Sequence, residues 1–484
     1  MLIGIDVGTT AVKANLFDMA GRQVDSLNAP HPTIRNKPGY AEQDPDIWVA
    51  AIGSAFEQFA RAHDPAQVRA IGICAQVNTH VFVDKAGNAL APAILWQDGR
   101  CGDVAAELDQ QIPDDDRIKW WGAALPIDAS HMLARMKWMS VHQPDIWEKT
   151  RWVMQPKDYC LMKLTGEVVG DPLSNVGFVD STLRYVPPLL ARVPGAADRL
   201  VPLRNITDVA GAVRPGQPFA GRPVCTGTMD AWAGMIGVGV QNNGQAMYLS
   251  GTSEILGLIS PDRHPAPGVI VFPTYDRIVL HAGPTQSGGA AVKWFCDTFG
   301  TSPEDMATRV VALDPDQPCP LFLPHLQGER APLWDIDARG TFIGVDASTG
   351  AAEFARAVYE GVACSARWLF ETLETSAGSR FDVLNCGGGG FQSDVWNQIR
   401  ADVLNRTLRR LAVKDPGVLG AVGLAAVACG AHVSLADALE DLVHFDKTYE
   451  PNRQRTAHYD HLFALFQETY AANASINKRL NALY

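Results

Sequence analysis

The sequence predicts an α/β protein made of two similar halves that face a cleft. Three observations predict it: the length, the alternation of strand and helix patterns, and a motif that occurs once in each half. The chain has 484 residues, enough for roughly two to four domains of about 100–200 residues. We expect domains at 1–243 and 244–484, with the boundary in the Gly/Asn-rich stretch 237–244.

The first half alternates strand and helix patterns. Residues 2–16 predict a β-hairpin with the tip Gly8-Thr9-Thr10, because apolar and polar residues alternate in its second arm. A helix begins at Asp44-Pro45, since Asp caps helices and Pro suits their first position. A strand over 68–74 follows and leads to Gln76-Val77-Asn78. This succession favours α/β layering.

The second half repeats the opening pattern. Residues 247–259 predict a second hairpin, with the tip Gly251-Thr252-Ser253. Just before it, a strand over 223–226 precedes Asp230. The remaining elements that we predict are a helix over 353–373, a strand over 381–386, a glycine run at Gly387–Gly390 and a helix that begins at Ser393-Asp394.

The composition excludes several classes of protein. The chain is 47% apolar and 19% charged, which is typical of packed domains and not of disordered ones. A formal charge of −12 without a long basic run disfavours nucleic acid or an anionic membrane as a partner. Nine cysteines without a CxxC pair are typical of reduced thiols in a cytosolic protein. The first residues lack the basic region of a signal peptide, and the apolar run 418–431 is too short to span a bilayer, so we expect a cytoplasmic protein.

Three glycine-rich segments have the composition of phosphate-binding turns. In the hairpin tips Gly8-Thr9-Thr10 and Gly251-Thr252-Ser253, glycine lets the backbone approach a ligand, and N–H and hydroxyl groups donate to phosphate oxygens. At Gly387–Gly390, bare backbone can lie flat against a nucleotide beside a helix N-terminus that favours anions. Each segment taken alone is more often an ordinary tight turn. Their recurrence in the two halves favours a nucleotide site.

Two carboxylates at strand ends are candidates for chemistry. Asp6 stands beside a phosphate-type tip, where it would repel phosphate unless it holds Mg²⁺, directly or through water. Asp230 is a candidate general base that takes a proton from a sugar hydroxyl as this oxygen attacks the γ-phosphorus of ATP. The alternatives are a hairpin-capping role for Asp6 and a helix N-cap role for Asp230.

Trp96 is a candidate sugar contact. It begins the segment Trp96-Gln97-Asp98-Gly99-Arg100, in which an aromatic face beside polar groups suits a polyol; the alternative is a buried Trp beside a surface turn. Motifs of other enzyme classes are missing from the sequence, namely GxxxxGK[ST], GxGxxG, HExxH and GxSxG. The sequence therefore does not support assignment to the P-loop enzymes, dinucleotide-binding enzymes, zinc hydrolases or nucleophile-elbow esterases.

These motifs together resemble the FGGY family of carbohydrate kinases, and within it the xylulokinases most closely. The resemblance runs nearly from end to end. Its most specific match is the C-terminal signature, Gly340-x-Phe342-x-Gly344-Val345 followed after seven residues by Glu353-Phe354-x-x-Ala357-Val358-Tyr359-Glu360. The other matching segments are residues 3–10, 39–45, 95–100, 156–159, 165–167 and 323–332.

The resemblance implies two ribonuclease-H-like domains of the actin and hexokinase type that flank a central cleft. The first would hold the sugar and the second ATP, with Mg²⁺ as the metal and a homodimer as the assembly. Asp230 aligns with the family's catalytic base and Asp6 with its metal-associated Asp. The implied sugar contacts are Val77, Asn78, Trp96 and Asp230. The candidate ATP contacts, from the turns and the family together, are Gly8, Thr9, Thr10, Lys13, Gly251, Thr252, Ser253, Gly289, Lys293, Gly389, Gly390 and Asp394.

The chain departs from the xylulokinase pattern where the sugar would bind. Xylulokinases usually carry Met-His at Val77-Asn78 and Asn at Ala231, which the bulky Trp232 follows here, and the family's first signature has Lys at Arg135. The polar groups of the pocket determine which sugar binds, because a buried hydroxyl or donor without a hydrogen-bond partner lowers the binding free energy. We expect an ATP-dependent kinase with D-xylulose as the leading substrate. The alternatives are a kinase for another polyol or ketose, such as erythritol or ribulose, and an actin-like ATP-binding switch without sugar turnover.

Overall fold

The computed structural model describes residues 1–121 and 124–483. It divides into two compact units, of which the first comprises Met1–Gly239 with Pro416–Val443 and the second Val240–Asp415 with His444–Tyr484. Each unit contains a seven-stranded sheet with helices, so the predicted α/β class with two similar halves is confirmed.

The strands of the first unit are β1 (Leu2–Val7), β2 (Ala11–Phe17), β3 (Gln23–Pro30), β4 (Glu42–Gln43), β5 (Ala70–Ala75), β6 (Val81–Val83), β7 (Ala93–Ile94), β8 (Trp152–Met154), β9 (Val209–Ala212), β10 (Pro223–Cys225) and β11 (Thr228–Met229). Its helices before residue 240 are α1 (Pro45–Ala62), α2 (Gly102–Gln110), α3 (Asp114–Trp121), α4 (Met132–His142), α5 (Pro144–Lys149), α6 (Pro156–Thr165), α7 (Pro187–Leu190) and α8 (Asp230–Gly237). The sheet has the order β3-β2-β1-β5-β10-β9, with β11 also paired to β5.

The elements that position the site in the first unit follow from the sequence pattern. The predicted hairpin is β1 and β2, and α1 begins at Pro45 with the Asp44 side chain accepting from the Asp46 N–H. The predicted strand at 223–226 is shorter, and a second piece, β11, continues beside β5. The break contains Gly227, whose φ is +69° and whose missing Cβ would collide with the Ile73 carbonyl.

The second unit has the strands β12 (Ala246–Ser250), β13 (Glu254–Ile259), β14 (Ile270–Val271), β15 (Leu280–Pro284), β16 (Leu321–Leu323), β17 (Thr341–Ile343), β18 (Val383–Gly387), β19 (Thr407–Leu411) and β20 (Phe445–Tyr449). The helices from residue 289 onward are α9 (Gly289–Phe299), α10 (Pro303–Val311), α11 (Ala351–Ala377), α12 (Asp394–Leu404), α13 (Pro416–Ala428), α14 (Leu435–Leu442) and α15 (Thr456–Asn481). The sheet order is β14-β15-β13-β12-β18-β19-β20. The second predicted hairpin is β12 and β13, and the predicted long helix is α11.

The expected domain division at 243/244 would place the segment Pro416–Val443 in the second domain, but in the structure this segment belongs to the first unit. In the structure α13 packs with the first unit, against β1, β5 and α8. Glycines permit this approach, because a Cβ at Gly72 would collide with the backbone of Ala421 and one at Gly237 with that of Pro416. The apolar run 418–431 therefore forms mostly a buried helix. No helix within the described ranges is long and apolar enough to cross a membrane.

Candidate active site

Two carboxylates lie on either side of Cys74 at the ends of adjacent parallel strands. β5 is parallel to both β1 and β11, and Cys74 is in register with Asp6 on one side and Thr228 on the other. Register neighbours in a parallel sheet point to the same face. Asp230 follows β11 directly as the first residue of α8. Non-local strand pairing thus brings together the two acids that the sequence singled out.

The carboxylates of both acids affect the pKa of the Cys74 thiol. Burial raises its pKa well above the ordinary value, and the nearby carboxylates of Asp6 and Asp230 raise it further. The thiol stays protonated and donates to the Gly417 carbonyl at 3.4 Å. It therefore adds no third negative charge to this strand end.

Asp230 is half-buried and occupies the first position of α8, while Met229 is the N-cap. Its Oδ1 atom accepts from the Ala231 N–H at 2.7 Å. The alternative N-cap role is therefore not the one that the structure displays. A negatively charged side chain in the first helical turn lies at the positive end of the helix dipole.

A buried ionic cluster fixes the strand that leads to Asp230. The Lys157 ammonium lies 2.6 Å from an Asp158 oxygen and 2.9 Å from an Asp171 oxygen, with all three side chains buried. Asp171 also accepts from the Thr228 hydroxyl at 3.1 Å. Removal of Lys157 would leave two buried carboxylates without their cation, and the hydrogen bond from Thr228 to Asp171 ties β11 to this cluster.

The neighbourhood of Asp6 suits Mg²⁺. Asp6 is half-buried, and Lys13 lies opposite it across the β1–β2 pair. A Cβ on Gly417 would lie 3.5 Å from an Asp6 carboxylate oxygen, so glycine keeps this space open. Mg²⁺ is usually held by one or two carboxylates together with substrate phosphates and water. No group of three or more His, Cys, Asp and Glu side chains that could hold a metal ion is found in residues 1–121 and 124–483.

The first hairpin tip is joined to Trp96. The Trp96 indole N–H donates to the Thr9 hydroxyl at 3.0 Å, and this hydroxyl donates to Gln76 Oε1 at 3.0 Å. Gln43 donates from its amide to the Thr9 carbonyl at 2.7 Å. The Gly8 N–H donates to the Ala11 carbonyl. Thr10 is exposed at the tip.

The remaining candidate sugar contacts follow β5. Val77 and Asn78 are both half-buried, and Asn78 has a left-handed backbone with φ +55°. Its side-chain amide lies 3.5 Å from the Ser130 hydroxyl. Asn is among the few residues that adopt this conformation readily, because its short side chain can bond locally.

The polar residues after Trp96 have a structural role. Asp98 is buried, accepts from the Ala41 N–H at 2.6 Å and forms a two-point contact with Arg100. Arg100 also pairs with Glu42 at 2.7 Å and stacks 3.6 Å from the Tyr40 ring centroid. Two of the motifs that matched the family are thus joined to one another by this cluster.

In the second unit, the hairpin tip Gly251-Thr252-Ser253 meets the start of α9. The Gly251 carbonyl accepts from the Gly289 N–H at 2.9 Å, and the Thr252 carbonyl accepts from the Ala290 N–H at 3.0 Å. Gly251 and Thr252 are exposed, and Ser253 is half-buried. The tip therefore caps α9 with two of its carbonyls, and its Gly251 N–H donates to the Ser253 carbonyl at 2.9 Å, so the groups that can face a ligand are those of Thr252 and Ser253.

The glycine run lies against Ser250, which ends β12. A Cβ at Gly388 or Gly390 would collide with Ser250, whereas one at Gly389 would meet no atom within 4 Å. The Ser250 hydroxyl is itself held by buried Glu254 and Arg400. Gly389 is exposed and presents bare backbone.

Lys293 and Asp394 already have protein partners. Lys293 forms an exposed ion pair with Asp297 at 2.8 Å. Asp394, at the start of α12, accepts from three side chains: Lys447 at 2.7 Å, Tyr449 at 2.6 Å and Arg410 at 3.0 Å. The hydrogen bonds from Lys447 and then Tyr449 hold the pKa of Asp394 below its ordinary value. A nucleotide contact by either residue would have to share or replace these bonds.

The predicted site residues are divided between the two units. The first unit contains Asp6, Gly8, Thr9, Thr10, Lys13, Val77, Asn78, Trp96 and Asp230, and the second contains Gly251, Thr252, Ser253, Gly289, Lys293, Gly389, Gly390 and Asp394. Sequence reasoning missed the roles of Cys74, Gln76 and Arg135. The positions of Cys74 and Gln76 at the end of the central strand were the only signal for them.

Known protein families and individual proteins are similar to this chain along most of its length. Residues 1–237 match the model of the N-terminal domain of the FGGY family of carbohydrate kinases, and residues 246–429 match that of the C-terminal domain. The chain is 30% identical to a xylulose kinase of Escherichia coli (strain K12), over 97% of this chain and 98% of the relative. It is 28% identical to a xylulose kinase of Lactococcus lactis subsp. lactis, over 99% and 98% respectively.

A solved structure has the same fold. The ligand-bound xylulose kinase of Lactobacillus acidophilus superposes with a TM-score of 0.88 at 25% identity, and 99% of each chain is covered.

Proposed function

Because the chain belongs to the FGGY family of carbohydrate kinases, we propose that it transfers the γ-phosphoryl group of ATP to a hydroxyl of D-xylulose, which yields D-xylulose 5-phosphate. The observation that carries the proposal is the placement of Asp6 and Asp230 on either side of Cys74 at adjacent strand ends. The similarity to two xylulose kinases along nearly the whole chain supports the choice of sugar.

Asp230 is the general base of the proposed reaction. Its carboxylate accepts the proton of the attacking sugar hydroxyl, and the Ala231 N–H at Oδ1 keeps the carboxylate oriented. Such base assistance contributes typically about 10²–10⁴-fold to the rate. Trp96 and Asn78 hold the sugar, with the Trp96 indole oriented by Thr9. Exclusion of water from the site around the bound sugar protects ATP from hydrolysis, because no water molecule can then take the place of the sugar hydroxyl.

Asp6 would hold Mg²⁺, either directly or through water, in the space that Gly417 leaves open. When bound, Mg²⁺ neutralises charge on the transferring phosphates. In the second unit, the N–H groups and hydroxyls of Thr252 and Ser253 and the bare backbone at Gly389 would hold the nucleotide. The homodimer that the resemblance implies is testable by light scattering. The cytoplasmic location that the cysteines and the first residues indicate is testable by cell fractionation.

A panel of sugars in a coupled ADP-release assay tests the proposal. D-Xylulose is expected to give the highest kcat/KM, with D-ribulose, L-ribulose and erythritol as competitors. Val77-Asn78 and Trp232 depart from the usual xylulokinase residues, and this is the reason to include other ketoses and polyols. A higher kcat/KM for another sugar would replace D-xylulose as the substrate. Slow ATP hydrolysis that no sugar stimulates would instead favour a nucleotide-dependent switch.

A further inference from the structure

Arg135 is an arginine of α4 whose side chain is entirely buried. Its Nη1 atom donates to the Asn78 carbonyl at 2.5 Å and to the Ile94 carbonyl at 2.6 Å. Its Nη2 atom donates to the Leu95 carbonyl, and its Nε atom to the Ala129 carbonyl at 3.3 Å. One guanidinium group therefore joins three backbone segments that are far apart in the sequence.

Two of these segments carry the candidate sugar contacts. Asn78 is a contact itself, and its carbonyl belongs to the left-handed turn that follows β5. Leu95 immediately precedes Trp96, so the hydrogen bond to its carbonyl fixes the backbone from which the indole projects. Arg135 therefore supports the relative position of Asn78 and Trp96 from behind, beside the backbone pair of His80 with Ile94 and the hydrogen bond from the Trp96 N–H to the Thr79 hydroxyl at 3.2 Å.

His80 completes the arrangement. Its Nδ1 atom lies 2.9 Å from Nη1 of Arg135, and both side chains are entirely buried. Burial, and then the charge of Arg135, hold the pKa of His80 well below its ordinary value, so the ring is neutral, and its Nδ1 atom shares the two Nη1 protons with the Asn78 and Ile94 carbonyls. Burial lowers the pKa of Arg135 to about 10, and the guanidinium remains protonated at neutral pH.

Lysine cannot reproduce this geometry. A guanidinium presents five N–H donors in a planar fork, whereas an ammonium presents three from one nitrogen at the end of a flexible stem. Arg135 itself is entirely buried and engaged with protein acceptors, so it has no surface with which to touch a sugar.

We propose that Arg135 is a positioning residue that sets the spacing of Asn78 and Trp96 and thereby the sugar selectivity of the pocket. The inference rests on the proposed sugar-kinase function. It assigns selectivity to a residue that lies behind the pocket, in addition to the residues that line it.

The test compares Arg135→Lys with Arg117→Lys. Arg117 is a matched control, because it is also buried and also donates to backbone carbonyls, those of Ile112, Leu125 and Asp109, none of which belongs to a candidate site residue. The full chain is used throughout. Thermal unfolding reports folding, calorimetry reports the Kd for D-xylulose, and steady-state kinetics over the sugar panel report KM, kcat and selectivity.

Arg135→Lys is expected to raise the sugar Kd and KM about tenfold and to reduce the kcat/KM ratio between the best and second-best sugars, with the ATP KM unchanged. Arg117→Lys is expected to lower thermal stability and to leave sugar Kd and selectivity unchanged. A folded Arg135→Lys variant with wild-type sugar Kd and selectivity overturns the inference. An equal effect of Arg117→Lys also overturns it, since the effect would then be a general loss of stability.

A second pair of variants applies if Arg135→Lys does not fold. His80→Phe removes one acceptor of Arg135, and His80→Asn retains an acceptor near the same place. The inference requires a higher sugar Kd for His80→Phe and recovery towards the wild-type value for His80→Asn; equal values for both overturn it. A wild-type chain that binds sugar but transfers no phosphoryl group overturns the proposed function alone, while one that binds no sugar overturns both.

Discussion

The indole nitrogen of Trp96 lies 3.0 Å from the hydroxyl oxygen of Thr9 and donates a hydrogen bond to it. The Thr9 hydroxyl donates its only proton to Gln76, so while that bond exists it has none to offer a phosphate. A residue that the sequence placed among the candidate ATP contacts therefore orients a candidate sugar contact. A phosphate at this tip would need donors other than the Thr9 hydroxyl and the Gly8 N–H, which donates to the Ala11 carbonyl; the exposed Thr10 is the tip residue that could supply them.

Thr9→Val is expected to weaken sugar binding more than ATP binding, because it removes the acceptor of the Trp96 indole. A lost hydrogen bond of this kind costs about 0.5–1.5 kcal/mol, so the sugar Kd should rise about 2- to 12-fold. Calorimetry with each ligand measures the effect, and Thr9→Ser, which keeps the hydroxyl, is the control. A rise in the ATP Kd with an unchanged sugar Kd would show that the hydroxyl serves the nucleotide instead.

Asp230→Asn is expected to lower kcat by about 10²–10⁴-fold, since the amide cannot accept a proton from the sugar hydroxyl. The sugar Kd should change little because the side chain keeps its size. Asp145→Asn, at an exposed acid in the first turn of α5, controls for the loss of one charge at a helix start. Turnover near the wild-type value in purified Asp230→Asn would exclude the base assignment.

Gly389→Ala should separate nucleotide binding from folding. The added methyl meets no protein atom within 4 Å, so thermal stability is expected to stay near the wild-type value. If a nucleotide lies flat on this backbone, the methyl would raise the ATP Kd while the sugar Kd stays unchanged. Gly53→Ala, at another open position, is the control. Wild-type ATP affinity in Gly389→Ala would remove this residue from the nucleotide site.

Stability is expected to fall as the pH decreases from about 7 to about 4, in part because of His131. Burial lowers its pKa from 6.5 to about 4. Between pH 6.5 and about 4 the unfolded chain therefore binds the proton more readily than the folded chain does. The contribution of neutral His131 to the free energy of unfolding is complete above pH 6.5 and is lost as the pH falls towards 4. The neutral ring accepts from the Leu133 N–H as the N-cap of α4.

His131→Asn tests this titration, because Asn is a good N-cap that does not titrate in this range. Urea unfolding at several pH values is the measurement. The variant should show a shallower pH dependence than the wild type between pH 4 and 6.5. Identical slopes would mean that other groups account for the acid sensitivity.

The sequence predicted those parts of the site that depend on local patterns. Asp6 and Asp230 were singled out because each follows an apolar run, and the glycine tips because few residues suit such turns. The thiol between the two acids was not predicted, because its place depends on the pairing of β1, β5 and β11, which are separated by helices and loops.

The role of Arg135 could not be predicted from the sequence either, because it also depends on tertiary packing. In the sequence it was only a departure from a family signature. Its importance derives from the carbonyls of Asn78 and Leu95, which are brought to it by tertiary packing. Hydrogen bonds to backbone carbonyls are available at every residue, so no pattern of side chains marks such partners in advance.

The return of α13 to the first unit has a consequence for synthesis of the chain. A ribosome makes this helix only after all of Val240–Asp415, so the nascent first unit emerges with part of the β1–β5 surface still bare. Apolar surface of this kind is a target for chaperones and for misassembly during translation. An N-terminal fragment that stops at Gly239 would keep that bare surface permanently, whereas co-expression with a separate Pro416–Val443 peptide would supply the missing layer.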